Sequence, residues 1–267
     1  MEIIDNQCLR RHRFRKNILR ELCNLLRPDL QPQARLRTAL NVETKVTIAQ
    51  NLLCNWLFPI CNCRHLQHFS VLCHRSIRQV TDALYKKRLE YISFPMSREK
   101  KMEQQAGFVL IAGFPRVQGV IDCTHLALMA PQTHTEMFMN RKGFHSLNVQ
   151  LLCDHQHKIM TVDARYPGSS HDIFILHQSS VPAVFSGPNQ DCGWLLGDEG
   201  YPLCTWLLTP LRNPRTAAHN VDNDSHSGTR YIIEHCIGIF QQKFRCLDHS
   251  GGVLQYLPEQ GSLFVVV

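Results

Sequence analysis

The sequence predicts an α/β fold, a mixed sheet flanked by helices and preceded by an all-α, basic N-terminal region. Three observations predict it. Apolar residues in the first hundred positions recur at helical intervals. After residue 106 come short aliphatic and β-branched runs joined by turn-forming segments. A long amphipathic stretch then occupies 227–247. At 267 residues, 44% hydrophobic and 19% charged, the chain suits one large globular domain or two smaller ones, and we divide it at 1–105 and 106–267. No run of 18 apolar residues occurs, so no membrane span is expected. The opening "MEIIDNQCLRRHRFRK" lacks the apolar core of a secretory signal.

The helical region comes first. "RFRKNILRELCNLLRP" places Phe14, Ile18, Leu22 and Leu25/Leu26 on one face, with Pro28 expected to end the helix. "VETKVTIAQNLLCNWLF" and "RSIRQVTDALYKKRLEYISF" predict two more helices, and the stretch 50–74 between them has no clear periodicity. The strands follow. They are predicted at 120–130, 144–154 and 158–168, with the hairpin-like link "DHQHK" between the last two. "SSHDIFILHQSS" predicts a short helix starting near Ser170 or Asp172, and "CGWLLGDEGYP" predicts a fourth strand ending in a glycine-flanked turn. After a Pro- and Asn-rich connection at 208–226, Ile233, Ile237, Phe240, Phe244 and Leu247 define the stripe of the last helix. Short links make the first three strands antiparallel. The helical crossover lets the fourth lie parallel to the first.

Charge is divided along the chain. Residues 1–101 hold 19 Lys and Arg against 8 Asp and Glu, whereas residues 102–267 hold 10 against 14. A basic front half fits a polyanion partner, or simply a solvated helical surface. The twelve cysteines form no CxxC pair and are expected to be reduced. Cys61, Cys63 and His65 lack the spacing of a zinc finger.

Four acids stand out. Asp122 interrupts "GVIDCTHLALMAP", a segment that otherwise reads as a buried strand, and an ionised carboxylate there needs compensation. Asp172 begins the helix after the third strand, Asp198 ends the fourth strand, and Glu234 flanks the stripe of the last helix, with Gly238 one turn on leaving space beside it. Singly, each has an ordinary explanation as a hydrogen-bonded strand residue, a helix cap, a turn residue or a solvated helical acid. In the expected topology all four converge. Four carboxylates together require cations, and Mg²⁺ or Mn²⁺ suits an all-oxygen site. One or two such ions would activate water against a phosphodiester.

"GVIDCTH", "NRKGFHSLNVQ", "YPGSSHD", "LLGDEGYP", "LLTP" and "IIEHCIGIFQQKFRCL" together resemble the PIF/Harbinger transposases, including the vertebrate Harbinger transposase-derived nucleases. The resemblance runs from about 115 to 257 and is looser over 14–48 and 75–114. It implies a ribonuclease-H-like fold of the DDE superfamily. It also implies metal-dependent phosphodiester hydrolysis, with Asp122, Asp172, Asp198 and Glu234 as catalytic metal ligands. The 35 residues between Asp198 and Glu234 are similar to the corresponding interval of other DDE transposases. Topology favours Asp122 and Asp198 as the first pair of the triad. The family motif favours Asp122 and Asp172. The chain departs from the family at 50–74, where a helix-turn-helix-like region is expected, and at "LQYLPEQGSLFVVV", where the family continues into an apolar helix. Lower stability follows if that helix is missing.

Arg141, Lys142 and His145 in "NRKGFHS" are candidates for holding a nucleic-acid phosphate, or form an ordinary basic turn. His125 is expected on the opposite face from Asp122 as a packed core histidine, and His171 as a proton donor or a solvated side chain. The function expected is a transposase-derived, divalent-metal-dependent nuclease acting on DNA, with a separate DNA-binding protein as a candidate partner. The alternative is a catalytically inactive domesticated transposase acting as a DNA-binding or adaptor protein. A carboxylate-metal phosphatase for small molecules fits the basic front half less well. A DNA substrate and the import-like "RRHRFRK" imply a nuclear location, with the cytoplasm as a second compartment.

Overall fold

The computed structural model describes residues 13–31, 40–55, 67–95, 97–186 and 193–247. Cys61, Cys63 and His65, part of "RRHRFRK" and the tail 248–267 lie outside them. Four helices come first: α1 (Lys16–Leu30), α2 (Val42–Asn55), α3 (Gln67–Tyr91) and α4 (Arg98–Ala112). Pro28 does not end α1. It sits in the final turn, two residues before the end, where a missing amide costs one hydrogen bond, and Leu30 beyond it is buried. α4 was not foreseen and occupies the region where strands were expected to begin. Its signals are local: Ser97 caps the amide of Lys100, and Gly113 closes the helix at φ 77.

The sheet contains β1 (Val117–Ala127), β2 (Ser146–Cys153), β3 (Ile159–Pro167), β4 (Trp194–Leu196) and β5 (Leu207–Leu208), in the order β3-β2-β1-β4-β5. β1 pairs antiparallel with β2 and β2 with β3, while β4 lies parallel to β1 and β5 parallel to β4. That is the mixed arrangement the link lengths predict, with β5 added from the connection. The β2–β3 turn is fixed by Asp154, whose Oδ1 accepts the amides of Gln156 and Lys158 at 2.8 and 2.9 Å. Between the strands lie the short helices α5 (Thr135–Phe138), α6 (Asp172–Gln178) and α7 (Val181–Phe185). Last comes α8 (Ala217–Lys243), followed by a 3-10 turn at Arg245–Leu247. α8 begins ten residues before the expected start because Thr216 caps the amide of His219. It stops at Lys243, so Phe244 and Leu247 prolong its stripe beyond the helix.

Both faces of the sheet are covered, and adjacent residues divide between them. Val120, Leu151 and Leu196 face a large core that includes Ile233, Cys236, Leu26 of α1, Val46 of α2 and Ile77 of α3. Ile121, Leu152 and Leu195 face a smaller core with Leu176, Val181, Phe185 and Tyr201. The helical region and the α8 end also meet directly: Phe14 lies 6.1 Å from Phe244, and Arg13 donates to the Gln242 carbonyl at 2.6 Å. No described helix is long and apolar enough to cross a membrane.

Candidate active site

Unequal strand lengths open the site. β4 ends at Leu196, level with Val120 of β1, so β1 continues for seven residues without that neighbour. Two steps past the last pair stand Asp122 on β1 and Asp198 after β4. Parallel strands with one register carry their next same-face residues side by side. β1 is fully buried up to Ile121, half-buried over the next four residues and buried again at Leu126 and Ala127, so the opening is local to Asp122–His125. This notch lies at the carboxyl end of two parallel strands, the usual position for ligand sites in open α/β sheets.

A cavity of about 570 Å³ occupies the notch and is lined by Asp122, Asp172 and Asp198, with Arg141, Lys142 and His125 on its wall. Three predicted acids, from three separate elements, therefore share one cavity. Glu234 is half-exposed on α8, outside the cavity lining, and is connected to it through Arg230. Arg230 donates from one guanidinium nitrogen to Asp122 Oδ2 at 3.1 Å and from the other to Glu234 Oε1 at 2.5 Å. Asp122 Oδ1 accepts the amide of Cys123 at 2.8 Å. The compensation that Asp122 needs thus comes, within the protein, from a guanidinium and an amide.

That compensation is incomplete. Burial is the main cause that pushes the Asp122 carboxyl up to about 6, with the Cys123 amide and Arg230 opposing and the charges of Asp198 and Asp172 adding. Asp172 Oδ1 accepts from Asn148 Nδ2 at 2.8 Å, and the same amide group reaches the Ser170 carbonyl at 2.9 Å. Asn148 Oδ1 is buried without a partner. Asp198 Oδ1 accepts the Gly200 amide at 3.0 Å, which is the turn role expected of a Gly-Asp-x-Gly segment. The Cys123 thiol contacts Tyr201 at 3.2 Å, and burial, with Asp172 nearby, raises both groups far above their usual range.

The basic wall is built by one loop. Asn140 is buried and its Oδ1 accepts the amides of Lys142 and Phe144 at 2.9 and 3.3 Å, while its Nδ2 donates to Ser146 Oγ at 2.9 Å. Ser146 Oγ also lies 3.1 Å from His125 Nδ1. Gly168 makes this packing fit: a Cβ there would stand 2.3 Å from Ser146 Oγ and 2.6 Å from the Phe138 carbonyl. His125 thus belongs to the cavity, correcting its expected place in the core on the far face. Over Asp122–His125 the strand is only partly covered and four consecutive residues border the cavity, so face alternation does not decide burial there. Burial, reinforced by Arg141 and Lys142, lowers its pKa despite the opposing pull of Asp172. His145 is not brought to the cavity. Its carbonyl accepts the Leu128 amide, and it bridges to Met139. His171 is the exposed residue preceding α6, and its side chain makes no capping bond.

The donor set suits a hard divalent cation in kind. Asp122, Asp172 and Asp198 offer carboxylate oxygens to one cavity, the hard donors such an ion takes. Among the described residues, however, no three His, Cys, Asp or Glu side chains stand together as a ready cage. Sequence reasoning missed Arg230 and Asn148. Only Arg230 carried a signal, standing four residues before Glu234 on one helix face.

Residues 121–263 match the family model described as DDE superfamily endonuclease. The chain is 34% identical over 265 residues to the protein named "Putative nuclease HARBI1" of Homo sapiens. The alignment covers 99% of this chain and 76% of that one. The same coverage holds for the proteins of that name from Bos taurus, at 33%, and Xenopus laevis, at 29%. No solved structure matches the chain. The matched segment takes in every strand from the middle of β1 onward and all four acids, and the chain belongs to the DDE superfamily endonucleases, within their Harbinger transposase-derived nucleases.

Proposed function

We propose that this chain hydrolyses DNA phosphodiester bonds at the notch between β1 and β4, in a reaction that depends on Mg²⁺ or Mn²⁺. The observation that carries the reading is one cavity holding Asp122, Asp172 and Asp198 on one side and Arg141 and Lys142 on its wall. Acidic oxygens beside cationic side chains suit a phosphodiester, whose charge needs both a positive wall and a hard ion. When bound, a divalent cation would acidify water and stabilise the leaving oxygen. Asp122, Asp172 and Asp198 would hold the ion, and Glu234 would join them from α8. Arg141 and Lys142 would draw the backbone phosphate in and hold it. His125, its cationic form disfavoured, would be available to take a proton at the wall. The basic front half would lengthen the DNA-facing surface. With DNA as substrate, we place the protein in the nucleus, with the cytoplasm as a second compartment.

Nicking of supercoiled plasmid tests this reading. Wild type should nick with Mn²⁺ or Mg²⁺ and stop in EDTA, while Asp122→Ala and Asp198→Ala should lose at least about 100-fold in rate. Equal rates in wild type and variants would falsify the site. One observation favours a second reading, an inactive DNA-binding or adaptor protein: Arg230 already ties Asp122 to Glu234. Mn²⁺ binding without cleavage of any DNA would select it.

A further inference from the structure

Arg230 splits its fork. Guanidinium groups commonly place both nitrogens on one carboxylate. Here one nitrogen holds Asp122 Oδ2 at 3.1 Å and the other holds Glu234 Oε1. The side chain is only 22% exposed, and Asp122 only 18%. One positive charge is therefore shared between two acids from different elements, between β1 and α8. That is a position where the proposed ion would be held.

We infer that Arg230 is the resident counter-ion of the metal-free site and sets its affinity for divalent cations. This rests on the proposal that Asp122 and Glu234 hold the metal. The two cations compete for the same oxygens. A divalent ion requires close oxygen contact, about 2.1 Å for Mg²⁺, which a guanidinium between the same two carboxylates prevents. Arg230 must therefore leave both acids before they accept the ion, and the apparent affinity is reduced by the fraction of molecules in which it is bound. Arg230 and Glu234 lie one turn apart on α8, and rotation about the long arginine side chain frees both acids. In the absence of metal the same contact stabilises the fold, since its removal leaves Asp122 half-buried with fewer compensating partners.

A counter-ion role predicts two changes of opposite direction, where a purely structural role predicts only loss. The test is Mn²⁺ titration by calorimetry, together with thermal unfolding in EDTA, on the full chain as wild type, Arg230→Gln and Arg230→Lys. Arg230→Gln should unfold at lower temperature in EDTA yet bind Mn²⁺ about tenfold more tightly. Arg230→Lys keeps the charge but loses the fork, and should bind about two- to threefold more tightly. If Arg230→Gln does not fold, Arg230→Lys decides. Equal or weaker Mn²⁺ affinity in the variants overturns the role of Arg230 and leaves the metal site standing. No Mn²⁺ binding by any of the three proteins overturns the metal site itself, and this inference with it. Binding by the variants but not by wild type supports both.

Discussion

His226 shows how one residue sets a pH response. It is buried, its Nε2 donates to the Leu208 carbonyl at 3.2 Å, and its Nδ1 has no partner. The neutral ring suits that environment. Burial lowers its pKa, with Arg230 adding and the Leu208 carbonyl and Asp222 opposing. The unfolded chain therefore takes up this proton first. The stabilising contribution is complete above about pH 6.5 and is lost as pH falls through the lower folded value. Asp122 has the opposite sign. Its raised value gives stability that is present below the ordinary carboxylate range and lost as pH rises through about 6. Comparison of His226→Gln with wild type isolates the first effect. In urea unfolding at pH 7.5, 6.5 and 5.5, wild type should lose up to about 1.4 kcal/mol per pH unit more than the variant. A constant difference across the three pH values would remove His226 as the source.

At the scale of elements, the geometry depends on a notch and a close approach. The notch exists because β4 is three residues long beside an eleven-residue β1. The close approach is Gly168, where β3 leaves the sheet and the Asn140 loop packs against it. Gly168→Ala should cost about 1–3 kcal/mol in urea unfolding, because two of the three contacted atoms, the Phe138 and Ser146 carbonyl oxygens, are backbone. It should also weaken binding of a fluorescent DNA duplex several-fold, since the displaced loop carries Arg141 and Lys142. Unchanged stability would show that the loop yields freely. Much of this level was legible in the sequence. Alternation and short links gave the antiparallel hairpins, and the crossover gave the parallel partner. The starts of α4 and α8 were not legible, because each rests on a cap, Ser97 or Thr216, followed by a first turn with no large apolar residue to mark a stripe.

Across the whole molecule, the apolar interior joins parts that composition separates. One buried cluster includes Cys23 and Leu26 of α1, Val46 of α2, Ile77 of α3, Val120 of β1 and Ile233 of α8. The basic helices and the sheet therefore share a core despite their different charge. We expect a single calorimetric transition. Leu26→Ala, at a fully buried position, should lower it by about 2–5 kcal/mol, roughly 4–15 °C for a chain of this size. Two transitions, only one of them moved by Leu26→Ala, would mean that the helical region folds separately.

The sequence by itself determined the layer order, the strand directions, the acids worth attention and the family likeness, because each depends on local periodicity, link length or residues close together in the chain. Only the tertiary structure decided that Asp122, Asp172 and Asp198 line one cavity, that His125 joins them while His145 does not, and that Arg230 stands between Asp122 and Glu234. Those outcomes depend on where one strand stops beside another and on which long side chain reaches across 108 residues of chain to an unpaired charge. No spacing within a single segment encodes either.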